Sequence, residues 1–229
     1  MSEVAENIKD VRRRIAEAAG RVDRDPSSVT LVAVTKTVSP QKALEAVEAG
    51  VTDLGEARTQ EAKRKYEVIG NRAVWHLIGP LQTNKAKYCP GLFSLIHSLD
   101  RMELISELSR RAELAGTVVD GLLQVNISGE KQKSGCRPQD AGDILKSASS
   151  MRGVRITGLM TIPPACDDPE DSRPVFRSLM ELKSDLTKIG IENVSLSIVS
   201  AGMTNDYEVA VEEGSTLVRV GTAIFGSRS

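Results

Sequence analysis

The chain alternates short apolar runs with amphipathic segments eight times in 229 residues, and this rhythm constrains its fold more than any motif. The apolar runs are Leu31–Val34, Thr52–Gly55, Val74–Ile78, Leu92–His97, Gly121–Ile127, Val154–Met160, Val194–Val199 and Thr216–Val220. Runs of this length, bounded by Gly, Pro, Asn or Asp, predict buried strands. The segments between them predict helices. Ser39-Pro40 supplies a cap and a first-turn proline, Asp100 with Glu103 has capping-box spacing, and Gly190 stops the helix of Pro174–Ile189. Strands that each need a helical crossover lie parallel. Eight such units can close into a (β/α)8 TIM barrel, and the length suits a small one. An open doubly wound sheet is the alternative. Ahead of the first strand, Val4, Ile8, Val11 and Ile15 form one helical stripe, an extra N-terminal helix. No linker or composition break divides the chain, so a single domain over 1–229 is expected.

Composition narrows the partners. Lys plus Arg is 30 and Asp plus Glu 31, a formal net charge of -1, and aromatics are 3%. Neither a basic footprint nor a stacking platform for nucleic acid is present. No apolar run approaches membrane-spanning length. Cys89, Cys136 and Cys166 are odd in number and widely spaced, and there are two histidines, so neither a disulfide framework nor a metal site is expected. With no leader-like N-terminus, the expected compartment is the cytoplasm.

In a barrel of this kind the chemistry sits at the carboxyl ends of the strands. Lys36 ends the first strand and shares side-chain parity with Val32 and Val34. A lysine desolvated at a dry rim favours its neutral amine, the nucleophile that forms an imine with an aldehyde. A solvated loop lysine is the competing reading. Ser200-Ala201-Gly202-Met203-Thr204 and Arg219-Val220-Gly221-Thr222 follow the last two strands, where barrels of this class hold phosphate. Their small residues let backbone N–H groups approach an anion, although glycines also simply make turns. Together these features describe a site for a phosphorylated aldehyde. Trp75 is read as wall packing, Lys63-Arg64-Lys65 as a solvated helix face, and Glu56 and Asp100 as helix-capping carboxylates in preference to acid–base groups. Lys131 and Lys133 lie in a Gly/Ser-containing loop.

These segments resemble the pyridoxal-phosphate homeostasis proteins (the YggS/PROSC family). The matching stretches include Val32-Ala33-Val34-Thr35-Lys36, Trp75 through Lys85, His97-Ser98-Leu99-Asp100-Arg101, Gln124 through Ser128, Gly158 through Pro163, Gly202-Met203-Thr204 and Val218 through Gly226. The resemblance spans nearly the whole chain. It implies a barrel similar to the N-terminal domain of alanine racemase, binding pyridoxal 5'-phosphate (PLP). It implies Lys36 as the Schiff-base lysine and Arg219 as the group facing the pyridine nitrogen. It further implies Ser200, Gly202, Met203, Thr204, Gly221 and Thr222 around the phosphate, with His76, Asn126 and Met160 as further cofactor-binding candidates. One departure is visible. Where the family carries Gly-Glu-Asn-Tyr after the second strand, this chain has Gly55-Glu56-Ala57-Arg58. Ala57 cannot supply a side-chain hydrogen bond, a loss of about 0.5–1.5 kcal/mol, so weaker or differently ordered PLP is expected.

Three functions compete. The first is intracellular PLP homeostasis, buffering or delivery to apo-enzymes, by a monomer with little or no catalysis. It is favoured because an arginine opposite the ring nitrogen damps electron-sink chemistry, and because no second catalytic domain is evident in the sequence. The second is a PLP-dependent racemase or lyase. The third is a cofactor-free Schiff-base aldolase.

Overall fold

A computed structural model describes residues 2–130 and 132–226; Lys131 lies outside the described residues. Eight parallel strands close into a barrel in sequence order, β1 pairing with β8. They are β1 (Thr30–Val34), β2 (Asp53–Glu56), β3 (Val74–Leu77), β4 (Leu95–Leu99), β5 (Val119–Gln124), β6 (Val154–Met160), β7 (Ile198–Ser200) and β8 (Leu217–Val220). The helices are α1 (Glu3–Gly20), α2 (Pro40–Glu48), α3 (Thr59–Ile69), α4 (Met102–Leu114), α5 (Ala141–Ala148), α6 (Arg173–Ile189), α7 (Tyr207–Glu212) and α8 (Thr222–Phe225). The closed barrel therefore replaces the open-sheet alternative. Among the described residues, no helix is long and apolar enough to cross a membrane.

Alternating side-chain direction makes two cores from one set of strands. Val32, Leu95, Leu122, Met160 and Leu217 fill the barrel interior. Leu54, Leu77, Ile96, Leu123, Leu159 and Val218 belong to the larger core between wall and helices. Trp75 joins that outer core, as its wall-packing reading expects, and its indole N–H donates to Gly70 O at 3.0 Å.

Local signals fix most boundaries. The Ser39 side chain accepts the Lys42 N–H at 3.2 Å with Pro40 in the first turn of α2, and Gly190 ends α6 with φ 66. The Asp100–Glu103 signal fails. Arg101 occupies the cap of α4 without a side-chain capping bond, and Asp100 binds the Arg101 guanidinium at 2.6 Å instead. The fourth strand starts three residues after the predicted Leu92, because the turn after Cys89 consumes that segment: Leu92 and Phe93 N–H both donate to Cys89 O at 3.1 Å. The seventh strand is short for a similar reason. Asn193 adopts φ 59 and the Val194 N–H turns back to Ile191 O, so the regular strand is confined to Ile198–Ser200.

The N-terminal helix lies across α7, α8 and α2. Val4, Ile8, Val11 and Ile15 are buried, and Arg21 binds Glu212 of α7 at 2.6 Å. Because α1 seals helices from both ends of the chain, we expect Ile8→Ala to lower stability by about 2–5 kcal/mol, as for other buried Ile truncations. Urea unfolding measures this; a change under 1 kcal/mol, on the order of a surface substitution, would show that α1 is peripheral.

Candidate functional site at the carboxyl mouth of the barrel

Lys36 follows β1 in a β-turn closed by the Val38 N–H on Thr35 O at 2.9 Å. Thr37, next to it, has φ 65. A β-branched residue in this left-handed region carries strain of about 1–3 kcal/mol. The surroundings hold it there: the Thr37 N–H donates to the Glu61 carboxylate at 3.1 Å.

The turn is also gripped from behind. Lys65, on α3, reaches inward and donates both to Thr35 O and to the Glu56 carboxylate, each at 2.5 Å, and Thr35 Oγ1 donates to the same Glu56 oxygen at 2.5 Å. Lys65 is 3% exposed and Glu56 fully buried. This corrects two readings. Lys65 does not share the solvated face of Lys63 and Arg64, and Glu56 caps no helix. Burial pushes the Glu56 carboxyl up, with Lys65 and Thr35 opposing. The trio clamps the carbonyl of the residue preceding Lys36.

Lys36 opens into a cleft of about 420 Å³ lined also by Val34, Thr37, Ser39, Gly221 and Thr222. The closure of β1 on β8 makes this possible, because Val32 lies opposite Arg219 and Ala33 opposite Val220. The α8 turn, which sequence reading missed, starts at Thr222; the Ala223 N–H meets Thr204 Oγ1 at 3.5 Å, joining the loops after β7 and β8. Gly202 in that first loop has φ 91, and a Cβ there would stand 2.7 Å from Ala210 Cβ. Met203 N–H donates to Asp206 at 2.7 Å, which fixes the same loop.

Below the cleft, Arg219 is buried and donates to Ser200 Oγ and to Thr161 O, the latter at 3.0 Å. Burial pulls its pKa down to about 10, against the attraction of Asp206, so it remains a cation at neutral pH. Ser200 also meets His97 Nδ1 at 2.9 Å, His97 Nε2 meets His76 Nδ1 at 2.9 Å, and His76 Nε2 meets Asp53 at 2.9 Å. Sequence reading missed His97, Asp53 and Thr161. The signal was there for two of them: on paired strands of common direction, Asp53 and His76, then His97, fall on inward positions.

The structure thus places Lys36, Gly221 and Thr222 around one cleft, with Ser200 and Arg219 in the wall beneath and Gly202, Met203 and Thr204 in the adjoining loop. It places others elsewhere. His76 and Met160 lie inside the barrel, Met160 wholly buried opposite Ser200. Asn126 spends its side chain on its own loop, donating to Glu130 O at 2.9 Å and accepting from Gly129 N–H at 3.1 Å. Lys133 pairs with Glu130 in that loop. Ala57 packs its backbone against Gly79, where a Cβ would stand 2.4 Å from Ala57 O.

The mouth of the barrel thus combines an amine-bearing strand end, a turn of small residues and a buried guanidinium in the wall beneath. Residues 2–229 match the model of the alanine racemase N-terminal domain family. The chain is 42% identical over 224 residues to the pyridoxal phosphate homeostasis protein of Aquifex aeolicus (strain VF5), covering 97% of each. Among solved structures, it superposes on a protein of unknown function from Bifidobacterium adolescentis with a TM-score of 0.93 at 37% identity, covering 97% of this chain and 94% of that one. It superposes on PipY of Synechococcus elongatus PCC7942 with PLP bound with a TM-score of 0.85 at 32% identity, covering 97% and 100%. The chain belongs to the pyridoxal phosphate homeostasis proteins, within the alanine racemase N-terminal domain family.

Two outcomes follow from the buried groups. Removing one partner of a buried ion pair costs about 3–5 kcal/mol, so Lys65→Met destabilises by that order in chemical denaturation. A loss below 1 kcal/mol, roughly that of an exposed pair, would mean that the clamp is solvated. The second concerns His97, which burial, His76 and Arg219 hold well below the ordinary histidine value. Above that ordinary value neither the folded nor the unfolded chain protonates it. As pH falls below about 6.5, only the unfolded chain takes the proton. Stability then falls by about 1.4 kcal/mol per pH unit from this group, a slope that His97→Gln should lack.

Proposed function

We propose that this protein binds PLP at the carboxyl mouth of its barrel, with Lys36 as the Schiff-base lysine. We further propose that it serves PLP homeostasis in the cytoplasm as a monomer, buffering the cofactor or delivering it to apo-enzymes with little or no catalysis of its own. The observation that carries this reading is the shared cleft of Lys36, Gly221 and Thr222 above a buried Arg219. The PLP-bound relative and the naming of the family support it.

The residues present fit the cofactor. PLP supplies an electrophilic aldehyde and an electron-withdrawing ring. Lys36 provides the amine, held in place by the turn and by the Lys65–Glu56–Thr35 clamp behind it. Gly221 and Thr222 offer unhindered backbone and a hydroxyl for the phosphate, and Thr204 ties the neighbouring loop to theirs. Arg219, as a permanent donor, favours an unprotonated ring nitrogen. That choice retains a carbonyl carrier while weakening the electron sink that amino-acid chemistry needs. The cleft is open to water on its outer side, which suits release better than exclusion of solvent. Ala57 leaves the second strand end without a side-chain donor.

The test is visible absorbance of the PLP-treated protein before and after borohydride. A shifted band that borohydride bleaches, with the phosphopyridoxyl label recovered on the Lys36 peptide and absent from Lys36→Ala, is expected. A spectrum identical to free PLP in both proteins would overturn PLP binding. Turnover across an amino-acid panel, abolished by Lys36→Ala, would overturn the carrier reading and favour a racemase or lyase.

A further inference from the structure

The barrel interior carries a connected polar file where an apolar layer would serve packing equally well. It runs from Asp53 through His76, His97 and Ser200 to Arg219, with successive contacts of 2.9 Å between Asp53, His76, His97 and Ser200. Its two ends lie at opposite mouths. Arg219 stands under the Lys36 cleft. Asp53 lines a separate cleft of about 410 Å³ at the amino end, beside Arg12, Thr30 and Thr52.

The donors and acceptors can be assigned from the ends inward. Arg219 only donates, so Ser200 Oγ accepts from it. The Asp53 carboxyl lies below its ordinary value: burial opposes its charge, but hydrogen bonds from His76 and Thr52 outweigh burial. An ionised carboxylate only accepts, so His76 Nε2 carries a hydrogen. In the order that gives the Ser200 hydroxyl an acceptor, His76 Nδ1 accepts from His97 Nε2–H, and His97 Nδ1 accepts from Ser200. Every hydrogen then has an acceptor. The reverse order makes both His97 and Arg219 donors to Ser200, leaving the hydroxyl hydrogen of a fully buried serine with no acceptor among these partners.

We propose that Asp53, His76, His97 and Ser200 form a one-directional hydrogen-bonded line that positions the Arg219 guanidinium, with Asp53 at the opposite mouth selecting both imidazole tautomers. The charged groups along the line are Asp53 at one end and Arg219 at the other, the latter backed by Asp206. His97 and His76 are positioning residues; neither lines the Lys36 cleft. That Arg219 faces a cofactor ring rests on the function proposed above. The line itself does not.

The chain has only two histidines, so 15N-histidine NMR of the ligand-free protein reads the line directly. Both rings should carry their hydrogen at Nε2 and not at Nδ1, with a through-hydrogen-bond coupling between His97 Nε2 and His76 Nδ1. An Nδ1–H signal on either ring, or no coupling, would overturn the assignment. Asp53→Lys puts a donor-only group opposite His76, so the order must reverse and His97, which Asp53 does not touch, should gain an Nδ1–H signal. Asp53→Asn, whose amide oxygen can still accept from His76 Nε2–H, should leave both rings as in the wild type. An unchanged His97 in a folded Asp53→Lys would overturn the selecting role of Asp53. Ser200→Ala should weaken PLP binding about tenfold, as for a lost bond to a charged group, and shift the bound band. Wild-type affinity and band would overturn the positioning of Arg219. If wild type itself binds no PLP, the proposed function fails, and the imidazole spectra alone still decide the line.

Discussion

The parallel pairing of β1 with β8 is the contact on which the site depends. Val32 stands opposite Arg219 and Ala33 opposite Val220, although these strands are separated by nearly the whole chain. That register sets the Lys36 turn beside Gly221 and Thr222 and puts Arg219 one layer below them. A slip of one residue would turn Arg219 from the interior toward the helices. Barrel closure leaves no sheet edge at this seam, and α1, packed over α2, α7 and α8, covers it from outside.

Two buried polar systems flank that seam on opposite faces of the wall. Outside, Lys65, Glu56 and Thr35 hold the peptide that precedes Lys36. Inside, the file from Asp53 to Ser200 ends on Arg219. Both put ionised groups in low dielectric, where apolar residues of like volume are often neutral or stabilising by about 1–4 kcal/mol. Their shared property is placement. One fixes the backbone that carries the Lys36 amine, and the other fixes the guanidinium in the wall beneath the same cleft. The left-handed Thr37 fits the same pattern, as local strain maintained by the Glu61 contact beside Lys36.

The architecture was legible because local and global signals agree. Each apolar run maps to a strand, and Ser39-Pro40 and Gly190 cap as their chemistry predicts. Errors fall where tertiary contacts override local pattern. Lys65 sits in a run of three cations, and nothing in its neighbours announces that Glu56, nine residues earlier, will draw it inward while Lys63 and Arg64 stay in water. Asp100 has ideal spacing for a cap but a nearer cation in Arg101. His97 was seen as a strand end, not as a partner, because its contacts to His76 and Ser200 exist only once the strands are in register. Strand-end reading alone reached Lys36, Ser200 to Thr204 and Arg219 to Thr222. The further candidates His76 and Met160 lie inside the barrel, and Asn126 bonds within its own loop.

A polar middle layer also limits what the mouth can do. A side chain with a freely chosen tautomer could share or pass a proton with whatever sits above it. Here Asp53 accepts at the far end and Arg219 donates at the near end, so the intervening groups have no spare hydrogen to offer. Arg219 beneath the cleft is therefore a fixed cation and not an acid that titrates near neutrality. Holding a carbonyl compound, as proposed, asks for an amine near small residues, and Lys36 shares its cleft with Gly221 and Thr222. Turning over an amino acid also needs proton donors and acceptors poised at the reacting carbon. The buried polar groups of this barrel are committed to fixing Arg219, which supports the proposed carrier reading over the racemase or lyase alternative.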